Sequence, residues 1–189
     1  SSDVCSSDLG HPRKPALLYK GAAMSYGELE AQSTAFAAAL SARGVRPGDR
    51  VALLLPNCPQ FFVAEFGAWK AGAVVVPLNP IYSERELEAA LISTGATTVV
   101  ALTPFYRRIK NIQPRTQVRD VIATSIKEYL PTVLRMLFTL FKEKRDGHRI
   151  SVAAGDRWLQ EVLAEHRTSR RPAITVKPTD RAVILSSGG

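Results

Sequence analysis

The chain has 189 residues, 46% of them hydrophobic, and a formal net charge of +8. This length and apolar content suffice for one packed domain or one large lobe of a bigger domain. Two cysteines, Cys5 and Cys58, and three scattered histidines predict neither a disulfide framework nor a metal site, which fits a reducing compartment. No apolar run approaches the ~20 residues that cross a bilayer, and no secretory signal is visible.

The positive charge is concentrated in one segment. Residues 104–171 contain 15 Lys or Arg and 7 Asp or Glu, whereas the rest of the chain carries equal numbers of both signs. Such a localised field predicts an anionic surface as partner. Nucleic acid is disfavoured as that partner, because the segment is largely apolar and lacks interleaved exposed aromatic residues.

The first predicted elements, a hairpin and a helix, have a structural role only. Two short apolar runs, residues 16–19 and 22–24, flank a Lys-Gly turn and predict a hairpin. Ser25 and Glu28 have the spacing of a capping box, so a helix follows the hairpin. We expect that helix to end at Gly44, where a left-handed residue is favoured.

Residues 44–80 form the central unit of the chain. Two short apolar runs, Val51–Leu55 and 73–76, are typical of strands that are covered on both faces. Asn57, as an N-cap, and Pro59, in the first turn, predict a helix of about a dozen residues between the two strands. Two strands joined by a helix make a βαβ crossover, so the unit predicts a parallel sheet.

This stretch resembles the early core of the acyl-adenylate-forming superfamily. The pattern is G-x-x-x-GD-x-V-A-x-x-x-x-N, then W-K-A-G-A at the end of the helix, then V-V-P-L-N-P. That superfamily includes acyl-CoA synthetases, luciferases and the adenylation domains of peptide synthetases. The alternative is an arbitrary βαβ unit of another α/β protein.

Strand and helix continue to alternate after Pro80. Ser83 and Glu86 form a second capping box, and residues 97–102 predict a third strand. Thr103 is the expected N-cap of another helix, and residues 118–124 are a fourth strand candidate. The fold class is therefore α/β, with a doubly wound, mostly parallel sheet and flanking helices. The resemblance implies the front part of the large N-terminal domain of an acyl-CoA synthetase.

A basic, apolar segment interrupts this alternation. Residues 125–128 predict a third capping box, and Pro131 restarts the helix. Over residues 133–145 the helical periodicity gives a wide apolar arc and a narrow polar strip. Three interpretations stay open: a helix buried against the sheet, an amphipathic helix that touches a membrane or shapes an acyl-chain tunnel, and a dimer contact.

The sequence around this helix resembles the insertion of bacterial long-chain fatty acid–CoA ligases. The matching pieces are V-I-A-T-S-I-K-E-Y-L-P, L-F-T-L-F-K-E-K-R-D-G-H-R and G-D-R-W-L-Q-E-V-L. The resemblance implies a basic amphipathic helical insertion at about residues 125–165. A fatty acid partitions into lipid, so a cytoplasmic enzyme that collects it would gain from a basic, apolar face; we therefore expect the 133–145 helix to contact the anionic inner membrane face peripherally. A homodimer is a further partner prediction.

The end of the chain carries the strongest indication of chemistry. Residues 181–185 predict a buried strand, and Ser186, Ser187, Gly188 and Gly189 follow it directly. Glycines and hydroxyls after a strand can wrap a phosphate with backbone N–H groups. By the resemblance, these four residues open the family's phosphate loop and bind the nucleotide. A dinucleotide-binding Rossmann protein is disfavoured, because no G-x-G-x-x-G follows the first strand.

The resemblance implies a two-step ligase reaction on a fatty acid, with ATP, Mg²⁺ and coenzyme A. Residues 11–189 would be a partial AMP-binding domain cut inside the phosphate loop, preceded by a non-native or disordered leader at 1–10. No catalytic residue and no metal ligand is assigned, so we expect this chain alone to be inactive. The alternatives are a ligase for a medium-chain, aromatic or amino acid, and a non-catalytic protein of membrane surfaces.

Overall fold

The computed structural model describes residues 11–185 and begins with the predicted hairpin. Strand β1 (Pro15–Tyr19) pairs antiparallel with β2 (Ala22–Ser25). The connecting residues Lys20 and Gly21 both have positive φ, 48° and 86°. Two left-handed residues give the hairpin turn whose twist matches the strands, and glycine accepts this conformation without strain. The leader proposed for residues 1–10 lies outside the described residues.

The remaining elements alternate as the sequence predicts. In chain order they are α1 (Tyr26–Ala42), β3 (Arg50–Leu54), α2 (Pro59–Lys70), β4 (Val74–Pro77), α3 (Glu84–Thr94), β5 (Thr98–Leu102), α4 (Thr103–Ile112), β6 (Asp120–Thr124), α5 (Thr132–Leu137), β7 (Arg157–Trp158) and α6 (Leu159–Glu165). Short 3₁₀ turns span Gln113–Arg115 and Ile126–Tyr129, and a π-helical turn at Phe138–Lys142 continues α5.

Five strands form one parallel sheet in the order β4-β3-β5-β6-β7. In the central unit, Val51 lies opposite Val75 of β4 and Thr98 of β5. The predicted parallel pairing of Val51–Leu55 with the strand at 73–76 is therefore confirmed. The α/β class with a parallel sheet is confirmed with it.

Helices cover both faces of the sheet. Alternate residues of β3 enter different cores: Leu53 packs with α1, α2 and α6, whereas Leu54 packs with α3 and α4. Both leucines are fully buried. Successive strand residues point to opposite faces, so burying both faces requires the unbroken apolar run seen in the sequence.

Helices α1 and α2 approach closely at Gly67. A Cβ atom placed there would lie 2.7 Å from Phe36 Cδ1 and 2.9 Å from the carbonyl oxygen of Ser33. A side chain of any size would push the two helices apart, since packed interiors leave little free volume. Glycine at this position therefore sets the spacing between the two helices.

Two of the three predicted capping boxes are confirmed. Ser25 with Glu28 and Ser83 with Glu86 each make both reciprocal hydrogen bonds. The box predicted at residues 125–128 is wrong, because Ser125 makes no capping bond and only a 3₁₀ turn follows. Ser125 is 3% exposed at the end of β6, so its side chain faces the interior rather than the next turn.

Two N-cap assignments are also wrong. Cys58, not Asn57, is the N-cap of α2, and Pro59 takes the first helical position. An N-cap at Asn57 would put Pro59 at the second helical position, where the N–H that a cap accepts from is missing. Thr103 is the first residue of α4 rather than its N-cap, and its hydroxyl contacts His148 instead.

Candidate functional site

The segment that precedes the predicted phosphate loop lies beside β4. Val183 forms a parallel bridge with Val75, the Val75 N–H donates to Ala182 O at 2.9 Å, and the Ile184 N–H donates to Val75 O at 2.9 Å. The Trp69 Nε1–H of α2 also donates to Ala182 O at 2.9 Å. Because this pairing is parallel, Leu185 follows Val183 toward the carboxyl edge of the sheet, as Pro77 follows Val75.

The structure corrects the prediction of a buried strand at residues 181–185. Only the single bridge at Val183 forms, Val183 is 38% exposed, and Leu185 is 75% exposed. The segment sits at the edge of the sheet, where β4 is its neighbour among residues 11–185. Edge backbone that pairs on one side leaves its other side open to solvent. Ser186, Ser187, Gly188 and Gly189 lie outside the described residues.

Two buried polar atoms without a hydrogen-bond partner occur farther along the same edge. Gln60 Nε2–H donates to the carbonyl oxygen of Ser125 at 2.9 Å, joining the start of α2 to the end of β6. Within residues 11–185, neither Gln60 Oε1 nor Ser125 Oγ finds a partner. Gln60 is fully buried. Sequence reasoning missed this pair, because a glutamine in a first helical turn is ordinarily solvated.

His148 closes the carboxyl end of β5. Its Nδ1 lies 2.7 Å from Thr103 Oγ1, and its ring packs edge-on against Phe138 with centroids 4.9 Å apart. Burial lowers the pKa of His148, with a smaller contribution from Lys127, against opposing effects of Asp146 and Glu143. The imidazole is therefore a neutral partner that fastens the insertion to the sheet.

Cys58 is not an activated nucleophile. The thiol is free and buried at the start of α2. Burial raises its pKa to about 11, although the backbone N–H groups of Phe61 and Gln60 act in the opposite direction. A thiol with this pKa stays protonated near neutral pH, so its place is in the core.

The helix of the basic insertion is not buried against the sheet, so that interpretation is wrong. Six apolar side chains of α5 and the π-helical turn are exposed, with exposures between 42% and 70%: Val133, Leu134, Met136, Leu137, Leu140 and Phe141. Two ion pairs hold the segment in place, Lys127–Glu143 at 2.5 Å and Arg135–Glu128 at 3.0 Å. The helix is anchored at its ends while its apolar side chains stay at the surface.

A groove of about 590 Å³ runs between this helix and the hairpin turn. One stripe of the helix lines it, Leu134, Leu137, Phe138 and Phe141, and Lys20 of the hairpin turn lines it as well. The spacing i, i+3, i+4 and i+7 is one face of a helix. Val133, Met136 and Leu140 form a second stripe that does not line the groove.

Within the part of the chain that the structure describes, neither a metal cluster nor a membrane-spanning helix is found. The side chains of residues 11–185 form no group of three or more metal-binding residues. None of the helices in that range combines the length and apolar character needed to cross a bilayer.

Two similar sequences share one name, and a third has a related name. A long-chain-fatty-acid–CoA ligase of Yersinia pestis is 41% identical over 186 residues, which is 96% of this chain and 33% of the relative. A protein of the same name from Haemophilus influenzae is 38% identical over 95% of this chain and 32% of its own length. A feruloyl-CoA synthase of Amycolatopsis is 43% identical over 47% of this chain. The chain thus spans about a third of the first two relatives.

Solved structures share the fold. An anthranilate–CoA ligase in complex with anthranoyl-AMP matches with a TM-score of 0.75 and 17% identity, over 99% of this chain and 32% of that protein. A long-chain-fatty-acid–CoA ligase of Archaeoglobus fulgidus matches with a TM-score of 0.67 and 24% identity, over 95% and 30%. At these identities the likeness establishes the architecture alone.

The family follows from a match that runs through almost the whole chain. The model of the AMP-binding enzyme family matches residues 7–189, which include the hairpin, the parallel sheet, the insertion and the edge segment at Val183. The chain belongs to the AMP-binding enzyme family.

Proposed function

We propose that this chain is the front part of a long-chain fatty acid–CoA ligase. The two relatives of that name, at 41% and 38% identity, support the choice, and both extend well beyond the part that this chain spans. The basic apolar insertion supports it as well, because a fatty acid partitions into lipid and the enzyme must collect it there. The complete enzyme would use a fatty acid, ATP and coenzyme A as substrates.

One observation carries the nucleotide-binding part of the proposal. The parallel bridge between Val183 and Val75 directs the chain to the carboxyl edge of the sheet just before Ser186. Open parallel sheets bind their ligands at this edge. In the proposal, the hydroxyls of Ser186 and Ser187 and the backbone N–H groups of Gly188 and Gly189 donate to the phosphates of ATP.

The reaction has two steps. A carboxylate oxygen of the fatty acid attacks the α-phosphorus of ATP, and pyrophosphate leaves with the electrons of the broken phosphoanhydride bond. The thiol of coenzyme A then loses its proton and its sulfur attacks the acyl carbonyl carbon, and AMP leaves with the electrons of the broken acyl carbon–oxygen bond, giving the thioester. Both leaving groups are anions, so donors and cations at the phosphates lower the barrier. Mg²⁺ enters with ATP as the counter-ion of its phosphates.

The part of the reaction assigned to this chain is binding rather than bond making. Residues 11–185 supply the sheet and its carboxyl edge, but they contain no cluster of side chains that would hold a metal ion. We expect the catalytic groups in the part of the enzyme that corresponds to the remaining length of the relatives. The 189-residue chain alone should therefore be inactive.

The test is ATP–pyrophosphate exchange with oleate. We expect exchange from the complete gene product that contains this chain, and none from the 189 residues alone. The double variant Ser186→Ala with Ser187→Ala removes both hydroxyls and should raise the KM for ATP in the complete enzyme. The control Ser151→Ala, at an exposed serine of the insertion, should leave that KM unchanged. Exchange by the short chain, or an unaltered KM for ATP in the double variant, would contradict the assignments.

A second substrate class has its own support. The feruloyl-CoA synthase relative is 43% identical over nearly half of this chain, so an aromatic acid fits this scaffold too. The same exchange assay with ferulate, benzoate, decanoate and amino acids separates the two. Faster exchange with any of these than with oleate would make the protein a ligase for that acid. Absence of exchange with every one of these acids and with oleate would favour a non-catalytic surface protein.

We also propose a cytoplasmic location with peripheral contact at an anionic membrane face. The exposed apolar stripe of Val133, Met136 and Leu140 supports this, because the exposed basic residues Lys142, Lys144 and Arg145 follow it directly in the chain. On such a surface, apolar side chains that enter the lipid and basic side chains that are attracted to anionic headgroups both strengthen binding. A homodimer through the same helix stays a prediction.

A further inference from the structure

The groove behind the helix has a different chemistry from the helix's outer stripe. Its volume of about 590 Å³ falls within the ~300–1,000 Å³ of sites that bind small molecules. Six apolar side chains line it: Ile126, Leu130, Leu134, Leu137, Phe138 and Phe141. The remaining lining residues are polar or charged: Lys20, Lys142, Asp146 and His148.

Two lysines are among the residues that line the groove. Lys20 and Lys142 line it, and within residues 11–185 neither ammonium group forms an ion pair. Asp146 also borders the groove, but its carboxylate is paired with Arg145 at 3.3 Å. His148 is occupied by Thr103 at 2.7 Å. Lys20 and Lys142 are therefore two cations in the groove lining that a carboxylate can approach without displacing an ion-pair partner among residues 11–185.

We propose that this groove is a docking site for a long-chain carboxylate. The acyl chain lies along Leu134, Leu137 and Phe141, and the carboxylate faces Lys20 or Lys142. Leu134 is 42% and Leu137 is 48% exposed, so an apolar ligand removes surface that the folded chain leaves in water. The choice of ligand rests on the proposed function, whereas the site itself is inferred from the volume of the groove, its apolar lining and its two lysines.

The location gives the site a role distinct from the nucleotide edge. The outer stripe and the groove stripe lie on the same short helix, one residue apart at Met136 and Leu137. A fatty acid that leaves a bilayer at the outer stripe therefore reaches the groove by passing over a single helix. Bound there, it lies near the carboxyl ends of β5 and β6, because His148 and Ile126 line the groove, whereas the segment at Val183 lies beside β4 at the other side of the sheet.

Binding to the 189-residue chain tests the proposal without ATP. The probe is cis-parinaric acid, a fluorescent long-chain polyene carboxylate, used below its aggregation concentration and displaced by oleate. We expect saturable binding with one probe per chain. Leu137→Asp should weaken it about tenfold or more, because a charge replaces apolar surface that the acyl chain covers. Absence of saturable binding by the unaltered chain would overturn the proposal.

Met136→Asp is the matched control. It places the same charge on the same helix, one residue away, on the stripe that does not line the groove. We expect it to bind the probe as the unaltered chain does. Equal weakening by both variants would overturn the proposal in favour of a general surface effect. If Leu137→Asp unfolds by circular dichroism, Phe141→Asp at a 70% exposed position replaces it.

A comparison of oleate with oleyl alcohol tests the role of the ligand's carboxylate. Oleate should displace the probe better than oleyl alcohol does, and the double variant Lys20→Gln with Lys142→Gln should lose that preference. Equal displacement by acid and alcohol on the unaltered chain would overturn the role of the lysines. Failure of the groove with oleate-dependent exchange intact would reject only this inference, whereas groove binding without exchange by the complete enzyme would reject the proposed function.

Discussion

The central unit and the basic insertion use the same kinds of residue in opposite ways. In the unit, Leu53, Leu54 and Val75 are fully buried, because helices cover both faces of the sheet. In the insertion, Met136 is 64% and Leu140 is 68% exposed, and no described element covers them. Apolar side chains that leave water stabilise the fold, and those that remain in water do not. The comparison shows that burial within residues 11–185 accounts for the apolar residues of the unit but not for those of the insertion.

The largest expected difference is in stability. Leu53→Ala removes a fully buried side chain from β3 and should lower the free energy of unfolding by about 2–5 kcal/mol. Leu140→Ala makes the same chemical change at a 68% exposed position and should shift it by no more than about 0.5 kcal/mol. Urea titration of the 189-residue chain measures both. Similar losses would mean that the insertion is packed in solution, and the comparison would fail.

The sequence predicts the unit well, because local signals and burial agree there. The apolar runs at Val51–Leu55 and 73–76, with turn residues between elements, leave few arrangements besides a parallel crossover. The capping boxes at Ser25 and Ser83 form at the starts of helices, where Ser25 is partly exposed and Ser83 is exposed. At Ser125 the same pattern fails, since the preceding strand carries that side chain into the interior.

The burial of the insertion and the residues of the groove could not be predicted from the periodicity of the sequence. An amphipathic pattern at residues 133–145 shows that a helix has two faces, but not whether another element covers the apolar one. The groove arises from Lys20 and Leu137, which are far apart in the sequence, and the contact of Thr103 with His148 has the same origin. The phosphate-loop assignment at Ser186–Gly189 stays a prediction.

A membrane-binding measurement can distinguish the outer stripe of the helix from the stripe that lines the groove. Met136→Asp should weaken co-sedimentation with vesicles containing anionic phosphatidylserine by about tenfold, because it puts a carboxylate on the outer stripe. Leu137→Asp carries the same change in net charge, so the electrostatic attraction to the vesicle falls equally in both variants. We expect its loss to be several times smaller, the reverse of the order in the groove assay. Equal losses would show that the two stripes are one surface.

The smallest expected effect concerns the junction between the two regions. Burial lowers the pKa of His148 below its ordinary value of 6.5, so the unfolded chain takes up a proton before the folded chain does. The contribution of His148 to the free energy of unfolding is therefore constant well above pH 6.5. It decreases as the pH falls through and below that value.

His148→Asn isolates this contribution from the carboxylates that titrate over the same range. The amide can still hydrogen-bond the hydroxyl of Thr103 but does not titrate. The unaltered chain should therefore lose more stability between pH 7.5 and pH 5 than the variant does, with urea midpoints at each pH as the measurement. Asp146 and Glu143 favour the protonated ring and Lys127 opposes it, so the difference also depends on these three groups. Parallel pH profiles for the two chains would mean that the ring is open to water and that the insertion is not fastened to the sheet through His148.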